Sequence, residues 1–354
     1  MYPPPAPLLL TPRFDPKIWG GRRLATLLGK QLPTADPYGE SLESENHSAV
    51  LNGPMPGQSI TDLLHKYPDW LLGPRGIAAT QPFDEFPLLA KFIDATDVLS
   101  VQVHPNDEEA LPLGKRGKTE AWYIIHAEPG ATLITGLKPG ISRAEIAEAI
   151  QNVSLNQLVV HQHVTSGDTL LIPAGTTHAI GPGILLYEIQ QASDVTYRMY
   201  DWGRVDSAGN ARELHIDQSL EVVKPDLRAD RVAPLQVAEG RTILAACRYF
   251  ALEEWEIPEQ PLTVDFDHQC FRLVSVIEGS AVASWKNDQI DLPVGQTVLI
   301  PAAMQTLELT GPARLLVSYV PELEQDVLRP LLLAGHQPED IYRLAGMLGH
   351  IQSA

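Results

Sequence analysis

The chain has 354 residues, 44% of them hydrophobic and 20% charged, with a formal net charge of -18. That acidity argues against nucleic acid and anionic membranes as partners, although a few Lys and Arg residues can still dominate one cleft. The length suits two or three domains or one large all-β body, and 30 Pro with 26 Gly point to many short strands and turns.

The opening "MYPPPAPLLLTPRFDPKIWGG" has no basic n-region, and prolines interrupt its one apolar run, so no leader is expected and the expected compartment is the cytoplasm. No stretch reaches the ~18 apolar residues of a membrane span. "SITDLLHKYPDWLLG" (59–73) has helical spacing behind a Ser start and predicts a short helix. "FPLLAKFIDATDVLSVQVH" predicts two strands around an Asp-containing turn, and "TEAWYIIHAE" the next strand, with Glu120 at its start. Ser142 and Glu145 form a capping signature that predicts one helix or two over 141–160. Strands resume from 161, a polar stretch 205–240 connects two lobes, and short strands return over 241–320. A helical tail is expected over 326–354. Cys247 and Cys270 read as reduced, buried small hydrophobes.

Two stretches match when laid side by side. "GDTLLIPAGTTHAI" begins at Gly167 and "GQTVLIPAAMQTLEL" at Gly295. The match predicts a duplicated β-unit. Its register sets Thr306 opposite His178 and Ala303 opposite Gly175, so one copy keeps a histidine that the other lacks. Upstream, Gln102 and His104 sit two apart on a predicted strand and therefore share a face. With Glu120 on the following strand, they can converge on one point. His161 and His163 also form a His-x-His pair, but they follow the glutamate and read as strand surface.

The run Gly167, Pro173, Gly175, His178 resembles the second motif of the cupin family of small β-barrels, spacing included. In cupins an earlier His-x-His and Glu complete the ligand set; here Gln102, His104 and Glu120 fill those slots, with Gln102 the departure. Two His and one carboxylate with open positions suit ferrous oxygenase chemistry, whereas an added amide oxygen favours zinc. "LSVQVHPND", "GKTEAWYI", "IPAGTTHAIGPG" and "SDVTYRMYDWGR", in that order, resemble the type I mannose-6-phosphate isomerases, especially shorter bacterial members. "KIWGG" and "GESLE" add to the likeness, with Leu42 where many relatives have Trp.

The resemblance implies a mainly β protein of two cupin (jelly-roll) barrels with a small helical insertion. The expected division is a catalytic barrel over 1–240, a second barrel without metal ligands over 241–325, and the tail. It implies one zinc ion per chain on Gln102, His104, Glu120 and His178. It implies Arg198, Lys118 and Asp194 as catalytic residues and Lys91 with Arg198 as substrate-binding ones. The implied reaction interconverts mannose 6-phosphate and fructose 6-phosphate through an enediol, with a sugar phosphate as partner and a monomer or homodimer as the assembly. A cupin oxygenase and a non-catalytic sugar-phosphate binder are the competing classes. Gln102 and the lysine-arginine set speak against the first, and the intact ligand set against the second.

Overall fold

The structure is a computed structural model that describes residues 2–205 and 209–344. Strands dominate, and they fall into two bodies with one strand order. In the first, a seven-stranded sheet runs Arg231–Val232, Thr169–Ile172, Glu120–Ala127, Ile184–Gln191, Leu88–Ala95, Tyr38–Leu42 and Arg13–Gly21. In the second, the path runs Leu8–Leu9, Thr297–Ile300, Arg272–Trp285, Ala313–Tyr319, Ala251–Ile257, Arg241–Ala246 and Leu235–Ala238. The repeat found in the sequence occupies the second place in each path. Gly167 and Gly295 precede these strands with φ of 91° and 80°, a corner that favours glycine in both copies.

The strand pairing departs from a boundary at 240 in two places. Leu8–Leu9 pairs with the second body's Thr297–Ile300, and Leu235–Ala238 pairs with Arg241–Ala246. A sheet edge takes whichever segment can satisfy its open N–H and C=O groups, and chain order does not decide this.

A smaller pair of sheets completes the first barrel. Ala179–Ile180, Thr132–Leu137 and Val159–His163 form one, and Tyr197–Tyr200 with Val101–Val103 the other. Backbone bonds of 2.9 Å between Gln102 and His178, in both directions, tie the two together. Thus Gln102 and Glu120 do not lie on neighbouring strands, as the sequence suggests. The chain crosses through the short helix Asp107–Ala110 to the opposite sheet, and the residues meet across the barrel interior.

Pleating explains why the central strands read as unbroken apolar runs. In Glu120–Ala127, Trp122 and Ile124 join the first barrel's inner core, while Ala121 and Tyr123 join a core shared with the second barrel. Ile184–Gln191 is buried throughout, with Tyr187 and Ile189 turned to the seam between barrels. Strands buried on both faces lose polar alternation. Each Leu, Ile or Phe buried at this seam contributes ~1.5–3 kcal/mol.

Helices are few. Ser59 caps Ile60–Lys66 in a capping box with Asp62, and a second helix, Pro68–Thr80, follows directly. Helical structure therefore runs seven residues past the end expected from the sequence, with a break at Gly73 (φ 67°). The break lets Trp70, Leu71 and Leu72 carbonyls accept bonds from Ala303, Ala302 and Phe271, so this segment covers the second barrel's copy of the Pro-Ala turn. Over 141–160, Ser142 and Glu145 do cap a helix, Arg143–Gln151, but a 3-10 turn and the strand Val159–His163 take the rest. Ile146 and Ile150 pack with Val101 and Val103, so the helix braces the back of the strand that carries Gln102. The tail is helical at Arg329–Leu333 and Pro338–Leu344; residues 345–354 lie outside the described residues. Among the described residues no helix is long and apolar enough to cross a membrane.

Candidate metal centre

His104, Glu120 and His178, all buried, bring ligand atoms within 4.8 Å of one another. Three elements deliver them. His104 ends the strand Val101–Val103 just before Pro105. Glu120 starts the strand opposite, and His178 follows the turn 173–177. His178 Nε2 lies 3.2 Å from Glu120 Oε1, and His104 Nε2 lies 3.6 Å from Glu120 Oε2. Both rings are oriented from behind: His104 Nδ1 is 3.0 Å from the Val195 carbonyl and His178 Nδ1 is 2.8 Å from the Thr176 carbonyl. A carbonyl at Nδ1 fixes the tautomer and leaves Nε2 as a free lone pair aimed inward, the usual device at a histidine metal ligand.

The protonation states leave the imidazoles free to act as ligands. Burial, then the positive charge of Lys118, holds His104 well below its usual range, and burial lowers His178 to about 4, so both imidazoles are neutral. Burial, then the neighbouring Glu188, pushes Glu120 up to about 7. His104 Nε2 is buried without a hydrogen-bond partner, and Glu120 Oε2 is met by the Lys118 ammonium. A buried polar atom left unpaired costs roughly 1–3 kcal/mol. Two neutral imidazoles and a carboxylate fit a divalent metal, which satisfies all of these atoms at once. Gln102, half-buried, lines the same cavity; its amide nitrogen donates to Ser100 Oγ at 3.1 Å, leaving the amide oxygen as the available ligand atom.

The cavity has a volume of about 600 Å³. Lys118 is buried beside the ligands, with Nζ 3.3 Å from Glu120 Oε2. Lys91 is also buried, but Glu188 (3.2 Å) and Glu40 (3.9 Å) already neutralise it. Glu188 in turn accepts from Trp122 Nε1 at 2.9 Å. Burial alone would raise Glu188; Lys91 and Lys118 more than offset that and hold it below the usual carboxylate range. Arg198 lines the wall, its Nη1 donating to the Glu213 carbonyl at 2.7 Å and its Nε buried without a partner. Asp194 stands at the rim, 76% exposed and paired with Lys115 at 3.0 Å. His161 and His163 are exposed on Val159–His163, as the sequence suggests.

Sequence reasoning missed Glu188, Glu40 and Arg212. The first had a signal: one acid inside "ILLYEIQQ" is out of place on a strand buried on both faces. Arg212, which joins Arg204 in pairing with Asp201, had none, because it comes from an irregular stretch.

A family model described as phosphomannose isomerase type I, catalytic domain, matches residues 8–124, and one described as mannose-6-phosphate isomerase, cupin domain, matches residues 240–320. The chain is 34% identical over 321 residues to a mannose-6-phosphate isomerase of Streptococcus mutans, covering 88% of this chain and 98% of the relative. It is 34% identical over 322 residues to mannose-6-phosphate isomerase ManA of Bacillus subtilis, covering 89% and 99%. A crystal structure of mannose 6-phosphate isomerase from Bacillus subtilis superposes with a TM-score of 0.79 at 31% identity, covering 88% of this chain and 99% of that one. A putative mannosephosphate isomerase from Archaeoglobus fulgidus shares the fold, with a TM-score of 0.71 at 22% identity. Near full-length agreement with these relatives, on top of a duplicated barrel, means that the chain belongs to the type I mannose-6-phosphate isomerase family.

Proposed function

We propose that the family's isomerisation, mannose 6-phosphate to fructose 6-phosphate and back, runs in the first barrel on one zinc ion held by Gln102, His104, Glu120 and His178. The observation that carries this reading is the buried convergence of His104, Glu120 and His178, with His104 Nε2 left without a hydrogen-bond partner. Two imidazoles, a carboxylate and an amide oxygen are an N/O set that suits zinc and offers no softer ligand to copper. When bound, zinc supplies a Lewis acid that orients the sugar oxygens and offsets the developing negative charge.

The remaining roles fall to this chain's own groups. Aldose-ketose exchange moves a proton between C2 and C1 and leaves an enediol oxyanion in between. Lys118, buried 3.3 Å from Glu120, holds a proton or cationic charge at the cavity floor where that oxyanion forms. Arg198 has no carboxylate partner among the described residues and stands near Arg212, so an anion is the missing complement; it takes the phosphate or the developing charge. Lys91, pinned by Glu188, meets the sugar as a fixed N–H donor, with its own charge already balanced. Asp194 at the rim exchanges protons with hydroxyls that face solvent. We assign the protein to the cytoplasm and expect a monomer or homodimer.

Metal content measured beside a coupled assay for fructose 6-phosphate tests the reading. His178→Ala loses zinc and turnover together; Arg198→Ala keeps zinc and loses turnover. Parental activity in both variants would refute the assignment.

A further inference from the structure

We propose that Asp107 is a positioning residue for Lys118, and that the second barrel sets its position through Tyr249. The proposal rests on the reading of Lys118 as the residue that handles proton or charge at the cavity floor.

Lys118 lies in an irregular segment, 114–119, with no sheet to hold it. The backbone on both sides of it is held by side chains. Gly117 N donates to Asp107 Oδ1 at 3.0 Å, and Thr119 N donates to Gln191 Oε1 at 3.0 Å. The two anchors are one unit, because Gln191 Nε2 donates to the same Asp107 Oδ1 at 2.9 Å. Lys118 N itself donates to the Pro105 carbonyl at 2.9 Å, next to the residue that ends the His104 strand.

The other oxygen of Asp107 belongs to the second barrel. Tyr249 Oη donates to Asp107 Oδ2 at 2.6 Å, and Arg248 Nη2 lies 3.2 Å from the same atom. Burial would raise this carboxyl, but Tyr249, Gln191 and the Gly117 amide offset that and hold Asp107 below the usual carboxylate range. A carboxylate that accepts from four donors has little freedom to move. Its four contacts join Tyr249 and Arg248, on the far side of the seam, to the two amides that flank Lys118. Among the described residues the second barrel brings together no group of His, Cys, Asp and Glu of this kind, and the link gives it a part in the first barrel's chemistry. Misplacing an acid-base group by about 1 Å can cost ~100-fold in rate.

The test uses the full-length zinc enzyme with Tyr249→Phe, Asp107→Asn and Lys118→Ala. Tyr249→Phe removes one hydroxyl and leaves the seam packed, so it guards against an unfolded Asp107 variant. Expected in both outer variants are a kcat lowered roughly 10-fold, in the range for orienting partners, with KM and zinc content near parental. Amide hydrogen exchange in the peptide covering 114–119 speeds up in the same variants. In a Lys118→Ala background, Tyr249→Phe lowers kcat no further. Parental kcat and exchange in Tyr249→Phe and Asp107→Asn, beside a strongly lowered kcat in Lys118→Ala, would overturn this proposal alone. Full turnover in Lys118→Ala would overturn the reading of Lys118 and the proposal with it. A full additional loss from Tyr249→Phe in the Lys118→Ala background would also overturn the link.

Discussion

The two barrels use the same strand path and fill the same interior positions in opposite ways. Glu120 faces Ile172 on the neighbouring strand, and the residue that faces the equivalent Ile300 is Arg272. By the same register Lys91 corresponds to Glu253, Glu188 to Val317, and Glu40 to Arg241. In the first interior His104 Nε2 has no hydrogen-bond partner, and Glu120 Oε2 meets only the Lys118 ammonium and the edge of His104. The second is closed on itself. Arg241 binds Glu253 in bidentate fashion at 2.6 and 2.8 Å, Trp255 Nε1 donates to Glu253 at 2.7 Å, and Tyr319 donates to it at 2.6 Å. A buried polar cluster with every atom paired is architecture; one with unpaired atoms converging is a site that needs a ligand. The helix break at Gly73 adds to the contrast, because it lies across the second barrel's Pro-Ala turn, whereas the first barrel's turn leads to His178 and the cavity.

The contrast breaks most sharply at Glu120 and His178. Glu120→Gln loses the metal and, with it, measurable turnover, as read by metal analysis and the coupled assay. Next is Lys118→Ala, which keeps the metal and loses ~10²–10⁴-fold in kcat, the range for a general acid-base group. In the second barrel the largest effect falls on stability. Glu253→Ala leaves the buried Tyr319 and Trp255 donors without their acceptor and frees the half-exposed Arg241; it costs ~1–3 kcal/mol in denaturant unfolding, the scale for buried donors left unsatisfied, while the metal content of the folded fraction is unchanged. The same carboxylate predicts a pH dependence. Burial opposes ionisation of Glu253, but Arg241, Trp255 and Tyr319 prevail and lower it in the folded state. Its contribution is therefore complete above the unfolded value near 4.5 and is lost as pH falls through the lower folded value. Glu253→Gln flattens that acid limb of a melting-temperature profile. Smallest of all is Thr306→Ala, at the position opposite His178 in the repeat. Thr306 is exposed and bonds only to Asp265 at 3.0 Å, so stability shifts by less than about 0.5 kcal/mol and turnover stays parental.

Much of this contrast was legible in the chain itself. The repeat at Gly167 and Gly295 marked the two barrels, and Thr306 in the register of His178 marked which one carries the buried histidine. The spacing of Gln102 and His104 gave their common face, while Val101 and Val103 turn to the core under Arg143–Gln151. Less legible was how Glu120 joins them, because it arrives from the opposite sheet, and crossing a barrel leaves no periodic trace in sequence. Glu188 stood out as an acid on a buried strand, but its side did not, because a strand buried on both faces shows no alternation by which to tell the cavity from the seam. Lys91 and Lys118 read alike as lysines, and only packing separates a cation held between two acids from one set beside the ligands. Leu8–Leu9 was misallotted for a related reason: it pairs with a strand almost 300 residues away, and only the free sheet edge specifies that contact.

Anomalous diffraction at the zinc edge, from crystals of the zinc-loaded protein, tests the central claim most directly. One strong peak per chain is expected, between His104, Glu120 and His178 and within reach of the Gln102 amide oxygen, with no peak inside the second barrel. A peak beside Arg272 and Glu253, or a zinc-saturated protein whose ion lies away from Glu120, would contradict it.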